Sequence, residues 1–301
     1  MPHTIHGLVP ILATPFDASG ALDVASLRRL TEFQLASGVD GVATFGMASE
    51  GFALTAAERR EILAAVVAVV DGAVPVVAGV NGTSTVTAIE QAREAEALGA
   101  TALMALPPYL VKPDARQLVD FYGDVAEAVD VEVMVQDAPG ATGVAMAVGT
   151  IVELSKVERV TSVKVEAPPT APKVGAVVDA VGDEEFAVLG GQNGQFCLEE
   201  YARGAAGTMP ACEFPDLLAP VLTDWAAGRR ADARAAFARL LPLVLFGLQP
   251  GIAWAVHKEV LVHRGLIDRA TVRLPAKPLD AAEHQALLTI LSDLGLTSGD
   301  R

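Results

Sequence analysis

Among the six lysines of the chain, Lys164 stands in unusual company. It belongs to Val160-Thr161-Ser162-Val163-Lys164-Val165-Glu166, a β-branched apolar run that reads as a strand. The other five fall in segments that read as loops or helix faces. Strand alternation sends Val163 and Val165 to one face, and Ser162, Lys164 and Glu166 to the other. An ammonium ion is costly to bury, so a lysine there is driven towards its neutral amine. A neutral amine can attack a ketone and form a Schiff base, which draws electrons from the neighbouring carbon bonds. Two readings fit this pattern. Lys164 is a nucleophile with Glu166 as its proton-transfer partner, or the two form an ion pair at a strand end.

Further candidates lie where other strands end. Gly46-Met47-Ala48-Ser49-Glu50-Gly51 is a turn of small residues whose backbone N–H groups, with the Ser49 hydroxyl, could hold a carboxylate. It is equally an ordinary loop. Gln136, in Val135-Gln136-Asp137-Ala138-Pro139, shares its parity with Met134, while Asp137 points the other way. Gly190-Gly191-Gln192-Asn193-Gly194 is a glycine-rich loop bearing amides, and Tyr109 follows Pro107-Pro108. Binding candidates are therefore Gly46, Ala48, Ser49, Glu50, Gln136, Gly191 and Asn193. The five histidines avoid the strand ends; His257 and His263, six apart, do not share a helix face, and all five read as surface residues. Nothing calls for a metal or a cofactor. There is no Gly-x-Ser-x-Gly elbow, Gly-x-Gly-x-x-Gly or Walker loop.

The elements that must position these residues alternate. Apolar runs at 8–13, 41–45, 74–78, 102–105, 131–136, 160–165, 185–189 and 207–209 predict eight strands. Helical periodicity fills the gaps at 24–37, 56–70, 85–98, 115–129, 148–154, 171–181 and 194–203, and Thr55 with Glu58 forms a capping-box signature. Strands that are apolar on both faces are those of a covered parallel sheet. Eight of them favour a closed (β/α)8 barrel, whose reactive residues sit at the carboxyl ends of the strands. After residue 213 only helices are expected, at 215–227, 231–245, 251–264 and 281–294. Residues 1–213 then supply the barrel strands, and 214–301 the last barrel helix and a helical extension of the same domain.

Composition narrows the partners. Thirty-seven acidic against 22 basic residues leave a net charge of −15, which disfavours nucleic acid and anionic membrane surfaces. Two cysteines suit a reducing compartment. No leader or membrane-spanning run is visible, so a cytoplasmic location is expected.

These residues resemble the dihydrodipicolinate synthase and N-acetylneuraminate lyase family of Schiff-base barrel lyases. The likeness runs from Gly7-Leu8-Val9-Pro10-Ile11-Leu12-Ala13-Thr14-Pro15-Phe16 through Gly46, Glu50 and Glu58 and the Ala78-Gly79-Val80 segment. It continues through the Lys164 strand to Gly204-Ala205-Ala206-Gly207-Thr208 and the terminal helices. The resemblance implies that Lys164 is the imine-forming residue, that a short 2-oxo acid is the substrate, and that the chain assembles as a homotetramer, a dimer of dimers. It also implies that Tyr109 matches a tyrosine able to reach a neighbouring subunit's site.

The departures are informative. Where the family has Gly-Thr-Thr-Gly-Glu, this chain has Gly46-Met47-Ala48-Ser49-Glu50. Gln136 replaces the family's acid–base tyrosine, and Ala141 replaces a nearby arginine of the synthases. With these gone, Gln136-Asp137-Ala138-Pro139 and Lys164-Val165-Glu166 look like the branch of 2-keto-3-deoxy-sugar-acid dehydratases, such as those acting on 2-keto-3-deoxyarabonate. Glu166 then becomes the expected base. Pyruvate-releasing aldol cleavage, a synthase-like condensation and a non-catalytic 2-oxo acid sensor are the alternatives.

Overall fold

In a computed structural model, which describes residues 5–182 and 186–299, eight parallel strands alternate with helices. The strands are β1 (Gly7–Leu8), β2 (Val42–Thr44), β3 (Val76–Val80), β4 (Ala102–Ala105), β5 (Glu132–Asp137), β6 (Val160–Val165), β7 (Ala187–Gly190) and β8 (Gly207–Thr208). Between them run α1 (Val24–Ala36), α2 (Ala56–Val70), α3 (Thr85–Ala97), α4 (Ala115–Glu127), the single turn α5 (Pro139–Thr142), α6 (Val148–Leu154), α7 (Thr170–Val181) and α8 (Cys197–Tyr201). Four helices follow: α9 (Pro215–Ala226), α10 (Arg230–Phe246), α11 (Ala253–His263) and α12 (Ala281–Asp293).

The sheet order is β1-β8-β7-β6-β5-β4-β3-β2, and Ile11 bridges in parallel to both Ala43 and Ala211. Those bridges join the two ends of the sheet, so the sheet is a barrel and not an open doubly wound layer. Regular pairing of β1 with β8 stops after Leu8 because Pro210, the next residue facing β1, has no N–H to donate; single bonds from Val9 to Thr208 and from Ile11 to Pro210 carry the contact onward, and Leu12 bonds to Ala43 of β2. The helix expected at 194–203 shrinks to Cys197–Tyr201. Asn193 and Gly194 adopt positive φ, and Gln192–Gly194 forms a tight 3₁₀ turn instead. Glu185, at the expected start of β7, lies outside the described residues.

Two apolar layers follow from strand parity. Val163 and Val165 join Leu30, Ile62, Val66 and Phe121 in the layer between strands and helices. Val9, Ile11, Ala43, Val77, Met104, Met134, Leu189 and Met209 fill the barrel interior. Each large side chain so buried stabilises the fold by about 1.5–3 kcal/mol. Capping boxes at Thr55/Glu58, Ser84/Thr87, Asp114/Gln117 and Asp280/Glu283 satisfy the first N–H groups of α2, α3, α4 and α12.

Candidate active site

Lys164 is the inward-facing residue near the end of β6, 2% exposed, between Gln136 of β5 and Leu189 of β7 in register. Its Nζ lies 3.2 Å from Glu166 Oε1. Glu166 is held from two further sides. Gln136 Nε2 donates to its Oε2 at 2.7 Å, and the Gln192 backbone N–H donates to Oε1 at 3.2 Å. The Gln192 side chain returns a bond to the Glu166 carbonyl at 2.6 Å. Burial works to raise the Glu166 pKa, but the Lys164 charge and the Gln136 and Gln192 donors outweigh it, and the pKa is lowered. Glu166 is therefore an ionised base at neutral pH. An amide, not a phenol, stands beside it, so Gln136 orients the carboxylate but has no acidic proton to relay.

Gly191 makes this packing possible. A Cβ on it would come 2.4 Å from Glu166 Cγ and 2.7 Å from Oε1. Asn193, in the same loop, is used at both ends of its amide: Nδ2 donates to the Val244 carbonyl and Oδ1 accepts from Ala211 N–H. It ties the loop to α10 and to the chain after β8. Asp137 points outward, as parity requires, where Lys173 of α7 pairs with it at 2.6 Å; burial raises its pKa against that pairing.

Lys164 and Glu166 open into a cavity of roughly 180 Å³, lined also by Met47, Ala48, Gln192, Asn193, Trp254 and His257. The 46–51 turn forms one wall as two 3₁₀ turns, Met47–Ser49 and Gly51–Ala53. The first is closed by bonds from Ser49 N–H to Gly46 and from Glu50 N–H to Met47, which leave the Met47 and Ala48 N–H groups unused by those bonds.

Two expected ligands of a substrate carboxylate do other work. The Ser49 hydroxyl donates to the Leu12 carbonyl at 2.5 Å, and Ser49 is buried behind the turn. Glu50 is fully buried. It pairs with Lys258 and accepts the Arg273 N–H at 2.9 Å, while Lys258 reaches the Thr271 carbonyl and covers the Phe16 ring. Burial lowers the Lys258 pKa to about 8 against the pull of Glu50. Glu58 similarly receives the Arg273 guanidinium, whose bonds lower its pKa to about 2. The two glutamates of the sequence signature thus clasp the segment after α11 to the barrel mouth.

Tyr109 and Gly46 line a second cavity, of about 380 Å³, with Arg59, Asn81 and Ala141. Met47 borders both cavities. Tyr109 is thus not brought into the Lys164 cavity within one chain.

Three residues of the Lys164 cavity escaped the sequence reading. His257 is not a surface residue: it is 5% exposed, and its Nδ1 lies 2.7 Å from Oε1 of the fully buried Glu213. Trp254 donates through Nε1 to the Met47 carbonyl at 2.6 Å, pinning α11 onto the 46–51 turn. Gln192 was visible only as part of an amide-bearing loop. Glu213 and His257 are 44 positions apart, and no local pattern links them. Among the described residues no group of His, Cys, Asp and Glu could hold a metal ion, and no helix is long and apolar enough to cross a membrane.

Comparison with known proteins follows the same geometry. Residues 4–294 match the family described as the Dihydrodipicolinate synthetase family. The chain is 33% identical over 290 residues to an L-2-keto-3-deoxyarabonate dehydratase of Azospirillum brasilense, covering 94% of this chain and 93% of that protein. It is 32% identical over 301 residues to a 4-hydroxy-tetrahydrodipicolinate synthase of Methylococcus capsulatus, covering 97% and 99%. Among solved structures, the dihydrodipicolinate synthase of Rhodopseudomonas palustris superposes with a TM-score of 0.91 at 28% identity, over 96% of this chain and 98% of that one.

Proposed function

The chain belongs to the dihydrodipicolinate synthetase family, a family of Schiff-base lyases, and from that membership we propose that it removes water from a 2-keto-3-deoxy sugar acid, with 2-keto-3-deoxyarabonate the first substrate to try. The observation that carries this reading is the Lys164–Glu166 pair, with an amide where a tyrosine would relay protons. In this reading Glu166 accepts a proton from Lys164, and the amine attacks the C2 ketone. Glu166 returns that proton to the hydroxyl of the adduct, which leaves as water; an iminium ion remains and Glu166 is again a carboxylate. The substrate carboxylate lies against the Met47 and Ala48 N–H groups, across the cavity. Glu166 then removes a proton from C3, the iminium accepts the electron pair, and the C4 hydroxyl departs.

Two features support elimination over condensation. Ala141 offers no cation to a second carboxylate. The relative from Azospirillum brasilense is itself named a dehydratase. Cleavage of the C3–C4 bond to release pyruvate would use the same imine, so the decisive assay scores pyruvate and dehydrated product separately across a panel of 2-keto-3-deoxy acids. Dehydrated product is expected, and pyruvate as the dominant product would replace this reading with an aldolase. Borohydride should fix pyruvate to the protein as a mass adduct, and Lys164→Ala should abolish that adduct. Labelling that persists in the variant and maps to another lysine would overturn the assignment.

A further inference from the structure

The Lys164 cavity holds a second ionisable pair that the mechanism above does not use. His257 of α11 lines the same cavity as Lys164 and Glu166. Behind it, Glu213 is buried to 0% exposure, with Oε1 2.7 Å from His257 Nδ1. A carboxylate only accepts, so Nδ1 carries the proton of that bond, and the ring is fixed in one orientation. His257 Nε2 has no hydrogen-bond partner among the described residues. Glu213 is itself locked in place: its carbonyl accepts from Arg264 at 2.7 Å, and Arg264 also pairs with Asp216 of α9. Close packing at the ring leaves it little freedom. A Cβ on Gly247 would come 2.9 Å from His257 Cε1.

We propose that His257, oriented by Glu213, is the acid that protonates the C4 hydroxyl as it leaves, while Glu166 is the base at C3. The inference rests on the dehydration reading above. Hydroxide is a poor leaving group, and a positioned acid contributes roughly 10²–10⁴-fold to such a step. The C3–H bond breaks and its proton passes to Glu166. The electron pair first forms the enamine, then returns to make the C3–C4 double bond as the C4–O bond breaks. His257 enters this step as the imidazolium, with Nδ1–H bonded to Glu213 and a second proton on Nε2; the departing oxygen takes the Nε2 proton and leaves as water. The C2–N bond to Lys164 is untouched throughout. Glu166 has gained one proton and His257 has lost one. Because both line one cavity, a water can return that proton and restore both groups. Glu213 is the positioning residue: it holds the ring through Nδ1–H and sets a buried carboxylate against it.

The test separates leaving-group chemistry from imine chemistry with His257→Gln. Three quantities are read: the borohydride-trapped pyruvate adduct, turnover of 2-keto-3-deoxyarabonate, and chloride release from 4-chloro-2-oxobutanoate. The last substrate forms the same imine and loses the same C3 proton, but its leaving group needs no proton. The variant should trap pyruvate as the wild type does, lose roughly 10²–10⁴-fold on the hydroxy acid, and release chloride within a few-fold of the wild type. Equal losses on both substrates, or no loss on the hydroxy acid, would overturn the proposal. Should His257→Gln fail to trap pyruvate, His257→Asn takes its place, and loss of trapping in both would overturn the separation of roles. A wild type that traps pyruvate yet dehydrates no sugar acid refutes the proposed function, and the leaving-group role falls with it. A wild type that dehydrates no better than the variant refutes the role of His257 alone.

Discussion

Gly191→Ala is a one-carbon change that should disable the site without altering a reacting residue. The new Cβ would lie 2.4 Å from Glu166 Cγ and 2.8 Å from Cδ, where ordinary contacts between carbons are about 3.5–4.0 Å. Relief therefore needs a shift of about 1 Å. The backbone cannot supply it cheaply, because Gly190 pairs with Val165 and Thr208 in the barrel, and the Gln192 N–H and side chain are both bonded to Glu166. The Glu166 side chain must move, and Gly191 has a φ of −134°, so crowding and not a left-handed backbone is the obstacle. Moving the carboxylate by 1 Å stretches its 3.2 Å contact with Lys164 and its 2.7 Å bond from Gln136 together. Misplacement of a reacting group on this scale costs about 10²-fold in rate, and overpacking costs about 1–3 kcal/mol of stability. Turnover measured beside pyruvate trapping and thermal denaturation should show about a hundredfold loss of kcat, a lowered melting temperature and an adduct still formed at Lys164. Wild-type kcat in a folded Gly191→Ala protein would refute the reasoning, for it would mean that the position of Glu166 does not limit the reaction.

Glu166→Gln keeps the shape but turns one acceptor oxygen into an NH2 and removes the base; turnover should fall by about 10²–10⁴-fold while the pyruvate adduct still forms, more slowly because Glu166 no longer takes the Lys164 proton, and near-normal turnover would move the acid–base role elsewhere. Glu200 of α8 is buried behind Gly190, and burial, with Glu199 and Glu166 nearby, raises its pKa to about 7. A raised carboxyl supports the fold while protonated, and that support is lost as pH rises from its unfolded value of 4.5 through 7. Glu200→Gln should therefore gain up to ~3 kcal/mol over the wild type at pH 8 and little at pH 4.5, and parallel pH profiles of denaturation would contradict this. Light scattering should give about four times the 31.1 kDa of one chain, with the exposed Leu110 and Val111 beside Tyr109 buried on assembly; a monomer at micromolar concentration would exclude it.

The barrel and the face on which its lysine stands are legible in the order of the amino acids. Both are written in short-range periodicity. Val163 and Val165 alternate with Ser162 and Lys164 because successive strand side chains point to opposite faces, and the layers on either side of β6 follow that parity. The capping box at Thr55 and Glu58 was legible for the same reason, since its two partners are three residues apart. What the long-range partners do depends on packing between distant elements. Glu50 looked like a ligand at a strand end, but Lys258 and Arg273, more than 200 positions away, turn it inward as a clasp. His257 reads as a surface histidine only when its residue type is taken alone, for Ala253, Trp254, Val260 and Leu261, one turn to either side, place it on an apolar face of α11. It enters the cavity because Trp254 anchors α11 to the 46–51 turn and Glu213 waits beneath it. Periodicity reports which face of an element is apolar, but not which remote charge that face will meet. That meeting depends on how the closed barrel stacks the last helices over its mouth, and in this protein it decides which residues surround Lys164.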